Sequence, residues 1–256
     1  MIASLAMYDS GPAQAANDRL WALIRDGLRS RGIDAPEGLT RGAQAYWDAW
    51  QSPDLLLSQT CGYPYRARLH GHVTLVGTPD YGLPGCPPGH YRSVFVARKD
   101  DPRATLQDFA GAPLAFNEDL SQSGWAAPAH HLLSLGLTPA PALRSGGHRL
   151  SVQAVAEGRA DLAGVDALTW AMLQGQEPAA DRLKVVAETA PTPALPYISA
   201  AGADGPAIFA ALRQAIAALA PEDRDTLHLR GLVAIPAERY LAVPTPPPPR
   251  HFGMKN

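Results

Sequence analysis

Apolar residues come in two rhythms along this chain. Short runs of four to eight, rich in branched and aromatic residues, alternate with longer stretches in which apolar positions recur every three or four residues; this is the signature of strands alternating with amphipathic helices. A strand is predicted over 2–7, followed by the turn formers Asp9-Ser10-Gly11-Pro12 and a helix over 13–30. That helix puts Leu20, Leu23, Ile24 and Leu28 on one stripe and stops near Gly32. Further strands are predicted at 54–59, 73–77 and 91–98, with a loop crowded with glycine and proline at 78–89. A short helical stretch at 43–50 carries Trp47 and Trp50, whose expected role is core packing.

Beyond Arg98 the alternation restarts. It gives a helical turn at 105–109, strands at 111–117, 161–165, 183–188 and 197–201, and helices at 124–135, 148–156, 166–173 and 206–219. Gly136 and Gly158 stand where helix ends need a left-handed residue. The last thirteen residues, 244–256, hold four consecutive prolines and few core formers, which predicts an extended or disordered tail. The fold class that follows is α/β with mainly parallel sheets.

Composition sets limits on function. With 46% hydrophobic residues in 256 and a formal charge of −2, the chain can bury a large core and carries no global field that would attract nucleic acid or an anionic membrane. No run approaches the length of a membrane span. The start, residues 1–8, lacks the basic and long apolar regions of a secretory signal, so the expected address as written is cytoplasmic, or periplasmic if a leader precedes this sequence. Cys61 and Cys86 fit no zinc motif. A Cys61–Cys86 disulfide stays open as an alternative to two thiols.

In open α/β sheets ligands bind beyond the carboxyl ends of strands, where helix N-termini aim unsatisfied N–H groups outward. Under that rule the loop Asn117–Trp125 offers Asn117, the hydroxyls of Ser121 and Ser123, and Gly124, which admits a ligand close to the backbone. The alternative for this loop is a plain N-cap at Ser123. Ser145-Gly146-Gly147-His148 opens another helix and adds an imidazole, and Asp166 follows a strand, either to accept from a ligand or to cap the next helix. The first half supplies Tyr8, Gln59, Thr60 and Tyr63, all at strand ends. Catalytic signals are missing: no glycine stands two residues before Ser121 or Ser123, no phosphate-binding glycine loop is present, and the adjacent His130 and His131 point about 100° apart. No cofactor and no metal are expected.

The ordered set of Tyr8 after the first strand, Gln59 to Pro64, the segment 89–98, the serine loop 121–124, and Gly146-Gly147-His148 followed by 158–166 resembles the substrate-binding proteins of phosphate, phosphite and phosphonate ABC transporters. The resemblance covers about 1–243. It implies a type II periplasmic-binding-protein fold: one lobe from 1–95 with 198–243, a second from 96–197, crossings near 93–98 and 196–201, and a tail at 244–256. It also implies a hinged, non-enzymatic binder that captures a small oxyanion in the interlobe cleft. In such binders Ser121, Ser123 and Gly124 match the serine-rich helix start, and His148 and Asp166 the histidine after paired glycines and the acid after the following strand. Tyr8 and Tyr63 match first-lobe positions. The implied partners are a small anion and an ABC permease, with no nucleic acid, no membrane insertion and a monomeric state. A cytoplasmic ligand sensor and an enzyme on the same scaffold, like the thiamine-pyrimidine synthases, are the rival readings; the cysteine-rich iron motif of the latter is missing. The tail as a proline-recognition ligand is a third.

Overall fold

A computed structural model describes residues Met1–Met254. The chain folds as two compact units, the first from Met1–His90 and Pro193–Ala242, the second from Tyr91–Thr192 and the residues from Val243 onward. Strands in chain order are β1 (Ile2–Ser4), β2 (Leu55–Gln59), β3 (Val73–Asp80), β4 (His90–Tyr91), β5 (Ser93–Arg98), β6 (Leu114–Phe116), β7 (Pro141–Arg144), β8 (Leu162–Asp166), β9 (Leu183–Glu188), β10 (Thr192–Pro193), β11 (Tyr197–Ala200) and β12 (Gly231–Val233).

In the first unit the sheet order is β1-β2-β11-β3-β12. β1 and β2 are parallel, and β11 runs antiparallel to both its neighbours. The second unit repeats the plan as β7-β6-β8-β5-β9, with β6 parallel to β7 and β8 and with β5 antiparallel to β8 and β9. The prediction of mainly parallel sheets is therefore corrected. The reason is connectivity: β5 is the sheet strand on which the chain enters the second unit and β11 the one on which it returns, and each is inserted against the local direction. The passages themselves fall at His90/Tyr91 and Thr192/Pro193, in the short paired strands β4 and β10, a few residues before β5 and β11.

Helix Pro12–Arg29 begins with a proline at its first position and buries Ala13, Ala16, Leu20, Trp21, Ile24 and Leu28. Leu23, placed on that stripe by spacing, is 37% exposed, because Trp21 fills the core-facing angle instead. The same face packs on helix Gly205–Ala218, whose Ile208, Ala211, Leu212 and Ile216 are buried. Each such leucine or isoleucine contributes roughly 1.5–3 kcal/mol by leaving water. Arg19 clamps Asp223 with two charge-assisted bonds of 2.7 and 2.5 Å. Trp50 is buried and donates to Ser58 Oγ at 3.1 Å, while Trp47 stacks edge-on against it.

The second unit's core joins Val94 and Val96 of β5, Ala115 of β6, Val152 and Val155 of helix His148–Ala156, and Ala163 and Val165 of β8. The tail is neither free nor disordered over its described part: Pro246 and Pro249 are buried, Pro249–Phe252 forms a short 3-10 turn, and the segment belongs to the second unit. Cys61 is buried, Cys86 half-buried, and no disulfide joins them.

Candidate functional site

In the second unit the carboxyl ends of β6, β7 and β8 feed three helix starts. The chain leaves β6 at Phe116, and Ser121 caps the next helix by accepting from Gly124 N–H at 2.9 Å. The cap foreseen at Ser123 thus sits two residues earlier, which leaves the Ser123 hydroxyl available for another bond. The first turn, Gln122–Ala126, is wound as a π-helix, with Ala126 N–H bonding Ser121 O at 2.9 Å, before helix Ala127–Ser134 continues it. Such widened turns recur at functional sites because they change which side chains share a face.

The widened turn brings Ser123 Oγ to 2.9 Å from His148 Nε2, where His148 opens helix His148–Ala156 from the Gly146-Gly147 loop. Asn117 ties the two loops together. Its carbonyl accepts from Gly146 N–H at 3.0 Å, and its side chain lies so close to Gly124 that a Cβ there would stand 1.8 Å from Asn117 Oδ1. Glycine is the residue this contact admits. Ser93 Oγ, from β5, donates to Ser123 O at 2.9 Å and holds the turn from the sheet side.

The electrostatics follow from burial. One edge of the His148 residue meets solvent, but Nδ1 is buried and Nε2 is engaged by Ser123, so the ring behaves as an interior group. Desolvation pushes its pKa down to about 4, with the Gly164 carbonyl opposing this in part. At neutral pH the imidazole is uncharged. Among the described residues Asn117 Oδ1, buried here, has no hydrogen-bond partner, and His148 Nδ1 has none of ordinary geometry. Asp166 is buried, and its Oδ1 accepts from Leu168 N–H at 2.7 Å and Thr169 N–H at 2.9 Å, so that oxygen works as a helix cap. Among the described residues no carboxylate is hydrogen-bonded to His148 Nδ1 as the third member of a nucleophilic triad would be.

The first unit gathers another set. Gln59, at the end of β2, is buried and donates to Tyr81 Oη at 2.7 Å and to Leu195 O at 3.1 Å. Tyr8 packs edge-on against Tyr81, with ring centroids 5.4 Å apart. Tyr8, Gln59 and Tyr81 line a small pocket together with Asn17, Tyr197 and several leucines. Thr60 donates its N–H to Pro196 O at 3.0 Å, while its buried hydroxyl has no partner among the described residues. Tyr63 is buried under the Arg66 guanidinium, 4.4 Å from the ring centroid, and is not part of the pocket lining. Tyr81, Asn17, Tyr197 and Ser93 were not singled out from the sequence. Tyr81 could have been found, since it stands one residue past β3 and so obeys the strand-end rule; Asn17, inside a helix, gives no such signal. Among the described residues no cluster of histidine, cysteine, aspartate or glutamate is arranged to hold a metal ion, and no helix is long and apolar enough to cross a membrane.

Residues 51–238 match the family model described as ABC transporter, phosphonate, periplasmic substrate-binding protein. Among solved structures, PhnD1 from Prochlorococcus marinus in complex with methylphosphonate is 17% identical, with coverage of 93% of this chain and 94% of that one and a TM-score of 0.71. A Xanthomonas citri protein bound to chloride ion is 18% identical, with 94% of each chain covered and a TM-score of 0.69. A binding protein component of an ABC phosphonate transporter from Pseudomonas aeruginosa is 18% identical, covering 91% of this chain and 81% of that one at a TM-score of 0.66. These likenesses show the fold, that of type II periplasmic binding proteins. A search of the curated proteins gives no match. A family model spanning nearly three quarters of the chain, on this fold, places the protein among the periplasmic substrate-binding proteins of phosphonate ABC transporters, and its role is to bind a solute.

Proposed function

We propose that this chain captures a small oxyanion of the phosphonate or phosphate type and that the paired helix starts of the second unit receive its anionic head. The observation that carries the reading is the Ser123 Oγ–His148 Nε2 hydrogen bond at a helix opening where Asn117 Oδ1 is buried without a partner among the described residues. A buried acceptor without a partner is costly, and a bound water or a protonated ligand oxygen, not a bare anionic one, supplies the donor it lacks. In the proposed bound state His148, neutral, donates from Nε2 to Ser123 Oγ, and the Ser123 hydroxyl donates onward to an anion oxygen. Such a chain polarises both bonds. First-turn N–H groups and the positive end of the helix dipole add to it. Ser121 and Asp166 enter as caps, Ser121 of the turn that carries Ser123 and Asp166 of the helix that follows β8. Tyr8, Gln59, Thr60 and Tyr63 are proposed as the first unit's ligand contacts, for which the partnerless Thr60 hydroxyl and the Tyr8–Gln59 pocket are the support.

We read the protein as a monomeric capture component for an ABC permease. Calorimetric titration with methylphosphonate and with phosphate tests the site: Ser123→Ala and His148→Gln should each weaken binding by about 1–3 kcal/mol, the usual loss for a donor facing a buried charge. Unchanged affinity in both variants would overturn this reading.

A further inference from the structure

The chain leaves the first unit for a second time near its C-terminal segment. After Ala242 it joins the second unit. There the tail meets one residue in particular. Trp125, fully buried, donates its indole N–H to Pro247 O at 3.2 Å, and its ring lies 5.9 Å from that of Phe252 on one side and 5.3 Å from that of Phe116 on another. Trp125 is the fourth residue of the π-helical turn that carries Ser123 and Gly124.

From these contacts we infer that the C-terminal segment is a strap that positions the ligand-binding turn by clamping Trp125. A π-helical turn gives up the regular i to i+4 pattern and needs support from its surroundings to persist. The turn is held on three sides: Ser93 Oγ bonds Ser123 O from the sheet, Asn117 blocks movement toward β6, and the tail closes over Trp125. Of the three, the tail is the removable one. Phe252 and Pro247 reach the turn through Trp125, so their role is positioning. The strap rests on the reading of Ser123 and Gly124 as anion contacts. It also carries a thermodynamic obligation: if tail docking tightens anion binding by some factor, the anion must tighten tail docking by the same factor.

The test compares the intact chain with a chain ending at Ala242 and with the full-length Phe252→Ala and Trp125→Phe variants. Each is titrated with methylphosphonate and phosphate and followed by hydrogen–deuterium exchange. The expected result is at least tenfold weaker binding on truncation, a smaller loss in Phe252→Ala, faster exchange at Gln122–Ala126, and anion-dependent protection of Trp125 contacts and of residues 250–254 in the intact chain. A merely structural tail would not be protected by ligand. Should the truncated chain fail to fold, the two full-length variants decide by the same readouts. Affinities within twofold of the intact chain, with tail exchange indifferent to the anion, would overturn the strap. If the intact chain binds neither anion, the functional reading fails, and the strap is then judged by exchange at Gln122–Ala126 on truncation: faster supports it, unchanged overturns it.

Discussion

His148 shows how a single residue can be legible in its position and opaque in its state. Two glycines before a helix, after a strand, marked its position; its charge depends on burial by segments far away in the chain. Its folded pKa of about 4 lies below the ordinary 6.5, so the unfolded chain takes up a proton that the folded one refuses. Stability is therefore fully present above about pH 6.5 and declines as pH falls toward 4, by at most about 3 kcal/mol at 1.36 kcal/mol per decade of proton affinity. Thermal melts of the native protein and of His148→Gln between pH 7 and pH 4.5 check this: the native protein should lose more stability on acidification than the variant, although His131 and His228, also held below their ordinary values by burial, contribute to the slope of both. The partner of His148 was harder to foresee. That Ser121 caps the helix and frees Ser123 follows from a π-helical turn that no local spacing announces.

Elements repeat the lesson at larger size. Helix His148–Ala156 and strand β9 were readable to the residue because one apolar face and a clear stop signal define each. Strands β7 and β12 escaped notice, since both are short, edge-lying and only partly buried, and so lack an apolar run. The antiparallel insertion of β5 and β11 is likewise absent from any local pattern. Where two elements touch most closely, at Gly124 and Asn117, a prediction follows. Gly124→Ala should destabilise the second unit by about 1–3 kcal/mol through overpacking and weaken anion binding. Adding Asn117→Ala removes the nearest clashing atom and should restore part of the stability, although Asn117 N, 3.2 Å away, still crowds the new methyl. A chemical-denaturation cycle on the two single variants and the double one measures the coupling; additive losses would show that the two residues do not press on each other.

At the scale of the molecule, residues 91–192 carry every strand of the second sheet in one contiguous stretch, with only the tail after Ala242 joining that unit later, whereas the first sheet is split by the insertion. The order β1-β2-β11-β3-β12 makes the consequence sharp, because β11, the middle strand of the first sheet, is encoded beyond the entire insertion. As the polypeptide emerges from the ribosome, β2 and β3 have no strand between them until residue 200 has been made, while β5 to β9 already have all their neighbours. Pulse-labelling during refolding should accordingly find β5, β6 and β8 protected before β2 and β3, since long loops must close before distant strands can pair. For roughly half of its synthesis the nascent first unit is an open-faced sheet with a vacant central slot, the stage at which a chaperone, or a stray strand from another molecule, has its best opportunity to bind.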